Sequence, residues 1–186
     1  MIGACPLSVN QPRILELTIR RAIKKYGSKI ASGEIKAADF EEPDILRLLQ
    51  GIAKEDITVV AVILDQHTIR RQPKQVESIY RRVVARAIRY LVQQSPRVEI
   101  CLDKRYTSER LRHLLEKTIR EEIADLPQVV LIRQENSSSR KELQAADAIA
   151  WAFFQKYERN DSRFYDVIAS KIMTEDLISE SDWLEN

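Results

Sequence analysis

The chain has 186 residues, 44% of them apolar and 31% charged, and its 30 basic against 28 acidic side chains leave a formal charge of +2. That composition excludes a disordered segment and a membrane-embedded protein. The near balance of charge offers no ground for nucleic-acid binding unless the charges are unevenly distributed.

A chain of this length fits one domain that buries about 70% of its unfolded surface. Four glycines and six prolines suit long helices joined by short connections. Cys5 and Cys101 each lie in an apolar run, which reads as buried free thiols in a reducing compartment and leaves no disulfide or zinc framework. The opening Met1-Ile2-Gly3-Ala4-Cys5-Pro6 lacks the basic leader of a secretory signal, and no run reaches the length of a membrane span. These features predict a cytoplasmic protein with no membrane partner.

In chain order, residues 1–9 are mostly apolar and predict a strand. Pro12 suits the first turn of a helix, with Asn10 as its cap, apolar Ile14, Leu17, Ile19 and Ile23 on one face, and Gly27 at its end. Residues 28–42 read as a loop containing Gly33-Glu34-Ile35-Lys36, and a short helix follows Pro43. The run from Ile57 to Asp65 is apolar without alternation until its last residue, the mark of a strand covered on both faces.

A regular alternation follows. Residues 75–94 form a helical pattern with Val76, Ile79, Val83, Ala87 and Leu91 on one stripe, and residues 98–103 a second buried strand. Residues 107–125 predict a helix with Leu111, Leu115, Thr118 and Ile119 inward, and residues 129–132 a third strand. Ser139-Arg140-Lys141-Glu142 has the form of a capping box opening a helix that runs to about Tyr157. A last helix is expected near residues 164–173. The tail, 174–186, holds five acidic and no basic residues and reads as solvated, so the domain is expected to span 1–173. Strands alternating with helices imply right-handed crossovers and a sheet flanked by helices, an α/β fold.

Two of the apolar strands end alike, in Leu64-Asp65-Gln66-His67 and Leu102-Asp103-Lys104-Arg105. Ligands of α/β sheets bind beyond the carboxyl ends of the strands, so Asp65 and Asp103 stand where sites form; aspartate also begins turns and caps helices. Asp147, among alanines in mid-helix, has no basic residue at helical spacing, so if buried it needs a metal, a cation or a hydrogen-bond donor. Otherwise it is a polar helix edge. Converging carboxylates would suit Mg²⁺ or Mn²⁺ and phosphodiester hydrolysis. Phosphate-loop, dinucleotide and nucleophile-elbow motifs are absent, and His67 and His113 are isolated. Arg82, Arg86 and Arg89 share a helix face that would track a phosphate backbone or, as is more usual, simply face solvent.

Gly33-Glu34-Ile35-Lys36, the strands ending in Asp65 and Asp103, Ser138 or Ser139, and Leu143-Gln144-Ala145-Ala146-Asp147-Ala148-Ile149-Ala150 together resemble the domain of unknown function 3800 family. The resemblance covers the chain from Met1 to about Tyr157. It implies a ribonuclease H-like three-layer fold and a divalent-metal-dependent nuclease. Its metal ligands would be Asp103 and Asp147, assisted by Glu34 and Asp65, with Lys36 or Lys104 at the phosphate. A first strand ending in Asp-Glu-Ser-Gly belongs to the family pattern and has no counterpart here; residues 1–9 match the second strand instead. The chain is then a truncated or mis-started product, a relative that has lost activity and serves as a nucleic-acid-binding or assembly module, or a protein whose gap is filled by another strand or subunit, as in a homodimer.

Overall fold

The structure is a computed structural model that describes residues 2–26, 37–64 and 76–179. Two short strands, β1 (Ile2–Ala4) and β2 (Leu7–Val9), lead into helix α1 (Pro12–Tyr26). A single 3₁₀ turn (Ala37–Asp39) precedes α2 (Glu42–Ala53) and strand β3 (Ile57–Leu64). Then follow α3 (Val76–Val92), β4 (Arg97–Asp103), α4 (Glu109–Glu122), β5 (Val129–Glu135), α5 (Lys141–Arg159), α6 (Arg163–Ile168) and β6 (Ile172–Ile178). The chain is α/β, with mixed pairing and two separate sheets among the described residues.

β3 is the spine of the larger sheet. From Val59 to Leu64 every side chain is buried, as its unbroken apolarity predicts, and each valine, isoleucine or leucine among them contributes about 1.5–3 kcal/mol relative to exposure. β1 and β2 lie antiparallel along one edge of β3 in a single continuous register, Ile2 opposite Leu64 and Val9 opposite Ile57. They are one strand interrupted at Cys5-Pro6. Pro6 has no N–H to give, yet its carbonyl still accepts from the Val60 amide at 3.1 Å, so the ladder survives the break. β6 runs parallel along the other edge of β3. The smaller sheet is β4 parallel to β5, Arg97 opposite Val129 through Asp103 opposite Glu135.

Helices cover the larger sheet on both faces. One face packs against α1, α2, α5 and α6 through Leu15, Ile19, Ile45, Leu49, Ile149 and Phe153. The other rests on α3, where Ile79, Val83 and Ala87 meet Val60, Val62 and Leu64. The opposite flank of α3, with Val84, Ala85, Ile88 and Val92, packs with Leu115 and Ile119 of α4 against Ile100 of β4. One helix therefore supports both sheets. Gly51 lets α2 approach α1, since a Cβ there would stand 3.2 Å from the Thr18 methyl.

Several sequence expectations need correction. The buried stripe of α1 is Leu15 and Ile19 with Ala22 and Ile23 beside it, whereas Ile14 and Leu17 face solvent. β4 and β5 are not covered on both faces: Val98, Ile100, Leu102, Val130 and Ile132 point into the core, but Val129 is 66% and Leu131 48% exposed on the other side. The capping box does not form. Ser139 donates its hydroxyl to the Asn136 carbonyl at 2.8 Å, and α5 begins behind Arg140 with no side-chain cap. The expected acidic tail from residue 174 is, as far as Ile178, part of β6; residues 180–186 lie outside the described residues. No described helix is long and apolar enough to cross a membrane.

Candidate functional site

Of the predicted site residues, Glu34, Lys36 and Asp65 lie outside the described residues. Asp103 closes β4 and is exposed, as its position at a strand's carboxyl end predicts. The parallel register sets Glu135, the last residue of β5, directly beside it. Sequence reading passed over Glu135 because the third strand was expected to end at Ile132, three residues earlier. Paired residues of a parallel ladder share a face, so this edge carries two neighbouring carboxylates. The turn beyond it is held by the Lys104 amide on the Glu135 carbonyl at 2.8 Å and the Arg105 amide on the Asp103 carbonyl at 2.8 Å.

From Glu135 the chain crosses five residues and enters α5, which carries Asp147. Asp147 is exposed, and its Oδ2 accepts the Ala37 amide at 3.2 Å, at the start of the 3₁₀ turn. This answers the missing helical partner: a backbone donor from 110 positions away supplies part of what the carboxylate needs. Arg140, just before α5, reaches towards Glu99 at 3.9 Å and lies against Cys101, over the β4 face that Glu99, Cys101 and Asp103 share. Its Nε is buried without a hydrogen-bond partner. Burial raises the Cys101 thiol against the pull of Arg140, so Cys101 is a weak nucleophile here.

Beside Asp103 stands a second polar cluster that the sequence did not announce. Arg105 lies over the Tyr80 ring, 4.2 Å from its centre, and pairs with Glu77 at 3.3 Å. The Tyr106 hydroxyl donates to the same Glu77 carboxylate. That bond holds Glu77 below the usual carboxylate range against the opposing effect of burial, with Arg105 adding to it. Burial first, and then Glu77, push Tyr106 up to about 12. These groups satisfy one another and tie the start of α3 to the end of β4.

The arginine face is divided. Arg86 pairs with Asp176 of β6 at 2.6 Å, and the Tyr90 hydroxyl donates to the same carboxylate at 2.9 Å. Arg89 forks onto both oxygens of Asp125, each at 2.6 Å, and also reaches the Glu122 carbonyl. Asp125 is held at about 2 chiefly by that hydrogen bond. Arg82 also has a partner. Arg86 and Arg89 bind protein carboxylates, so neither guanidinium is free to follow a phosphate backbone. A surface depression of about 670 Å³ lies on α4 between Arg110, His113, Lys117 and Arg120, beside Glu116, and neither Asp103 nor Asp147 lines it.

As donors, Asp103, Glu135 and Asp147 are hard oxygens of the kind that Mg²⁺ and Mn²⁺ take. Among the described residues, however, no three metal-ligating side chains converge closely enough to hold an ion. Comparison with known proteins found no matching family model, no matching curated protein and no matching solved structure.

Proposed function

We propose that the protein is a divalent-metal-dependent phosphodiester hydrolase of ribonuclease H-like type, related to the domain of unknown function 3800 family and acting on nucleic acid in the cytoplasm. The observation that carries this reading is the pair of solvent-facing carboxylates, Asp103 and Asp147, on β4 and on the helix that follows β5. Asp103 stands at a carboxyl strand end, where α/β sheets receive ligands. Asp147 meets Ala37, the first described residue after the stretch of sequence that carries Glu34 and Lys36. In this reading Asp103 and Asp147 are the principal ligands of Mg²⁺ or Mn²⁺, and Glu34 and Asp65 complete the set. A bound ion would supply Lewis acidity and an activated water. Lys104, exposed beside Asp103, and Lys36 would hold the phosphate.

Mn²⁺ titration by calorimetry tests this on the wild type and on an Asp103→Asn/Asp147→Asn variant whose fold is checked by circular dichroism. Binding that disappears in the variant is the expected result. Absent binding, or binding equal in both proteins, overturns the assignment. A second reading, an assembly module without catalysis, is favoured by a different observation: among the described residues the two sheets do not pair with one another. Nucleic-acid binding through Arg86 and Arg89 is the weaker form of that reading, because both guanidinium groups already hold carboxylates.

A further inference from the structure

Arg105, the second residue beyond β4, is fixed by its surroundings. Its amide donates to the Asp103 carbonyl at 2.8 Å and sets the turn. Its guanidinium lies 4.2 Å from the centre of the Tyr80 ring and 5.9 Å from that of Tyr106, and Glu77 takes one edge at 3.3 Å. Each support is itself anchored: Tyr80 packs against the apolar cluster of Val84, Ile88 and Ile100, and the Tyr106 hydroxyl holds Glu77. The Arg105 side chain is nevertheless 49% exposed, so the rings back the guanidinium without enclosing it. The Tyr106–Glu77 bond alone joins α3 to the turn after β4, and that tie leaves the open side of Arg105 with no structural task. Asp103 borders the stack. Burial chiefly raises the Tyr80 hydroxyl, against Arg105, and the charge of Asp103 adds to it. Exposed Lys104 stands between Asp103 and Arg105 in the chain.

We infer that Arg105, backed by Tyr80, is a stacking platform for one unpaired base of a single-stranded nucleic acid whose backbone passes Asp103 and Lys104. A guanidinium is planar and delocalised, and bases stack on it as they do on aromatic rings. Glu77 already balances the charge, so Arg105 offers a ligand its plane more than its cation. Because the plane is held in place beforehand, little rotamer freedom is lost when a base settles on it. A base inside a duplex is already stacked on both faces by its neighbours, so the platform selects single strands. The identity of the ligand rests on the phosphodiester-hydrolase reading above, whereas the platform itself needs no metal.

The probe is a fluorescein-labelled single strand of about eight nucleotides, compared by anisotropy in EDTA with the same strand carrying abasic sugars in place of its bases. The wild type should bind the base-bearing strand roughly fivefold or more tightly, the measure of one stacked base. Arg105→Lys keeps the charge and loses the plane. With its fold checked by circular dichroism, it should bring the two affinities to within about twofold of each other and leave that for the abasic strand unchanged. No binding of either strand, equal binding of the two by the wild type, or a preference that survives Arg105→Lys overturns the platform. So does an equal loss on Arg105→Lys for a duplex of the same sequence. Because EDTA removes divalent ions, absent Mn²⁺ binding in the calorimetry would strike the metal site alone and leave this result standing.

Discussion

Glu175 offers the sharpest test of the structure, because composition alone places it in a solvated acidic tail. In the fold its Oε1 accepts from Lys156 at 2.8 Å and from the Tyr157 hydroxyl, while Oε2 accepts from the Tyr165 hydroxyl at 2.6 Å. The Lys156 ammonium also sits 3.5 Å from the centre of the Tyr165 ring. Glu175→Ala removes the acceptor from all three donors and leaves a cation with 27% of its side chain exposed beside a site that was 19% exposed. Breaking a fully buried pair costs about 3–5 kcal/mol, and partial exposure lowers that to about 2–4 kcal/mol. For a chain of this size the corresponding fall in Tm is roughly 5–15 °C. Glu175→Gln keeps an acceptor and loses the charge, so it should cost about half as much.

Urea unfolding followed by circular dichroism measures the loss, and its pH dependence is a second reading of the same interaction. Burial raises the Glu175 carboxyl, but the hydrogen bonds from Lys156, Tyr157 and Tyr165 outweigh it and hold the group below its ordinary 4.5. A depressed folded value means that the contribution is complete above 4.5 and disappears as pH falls through the lower folded value. The gap between wild type and Glu175→Ala should therefore narrow in acid. A loss under about 0.5 kcal/mol at neutral pH, typical of an exposed surface substitution, would refute the account of β6.

Two further outcomes follow from single residues. Tyr106 should titrate near 12 by ultraviolet absorbance, and Glu77→Gln should bring it back towards 10; an unchanged midpoint would remove Glu77 as its partner. Asn160 closes α5 in the left-handed conformation at φ 54°, where asparagine and glycine are tolerated. Asn160→Ala should destabilise by about 1 kcal/mol in the same urea assay, while Asn160→Gly should be neutral within about 0.5 kcal/mol.

What could be read from the sequence depended on whether a residue's partner lay nearby in the chain. β3 was legible because its own run of apolar residues implies cover on both faces. β4 was legible as a strand but misjudged in cover: Glu99 and Asp103 alternate with Val98, Ile100 and Leu102, the pattern of a one-sided strand, and Cys101 blurred it. β6 was hidden because Glu175 and Asp176 read as solvated charge, and the residues that accommodate them are Lys156, Tyr157 and Tyr165 on one face and Arg86 and Tyr90 on the other. Asp147 was singled out from its place among alanines, but no local rule names the Ala37 amide. The arginine stripe was visible as a face; the partners that occupy it, Asp125 and Asp176, come from α4's end and β6.

The split between the sheets also bears on how the fold persists without a continuous ladder. Sheets are ordinarily held by strand pairing, yet here α3 joins them: Ile79, Val83 and Ala87 bind one, and Val84, Ile88 and Val92 belong to the core of the other. Because the two sets lie on opposite flanks of one helix, α3 cannot follow one sheet while the other moves away without opening a core. At about 1.5–3 kcal/mol for each buried aliphatic side chain, either set outweighs the few backbone hydrogen bonds that a missing ladder forgoes to water at about 1 kcal/mol each. Among the described residues the two sheets are thus joined by the packing of α3 rather than by strand pairing.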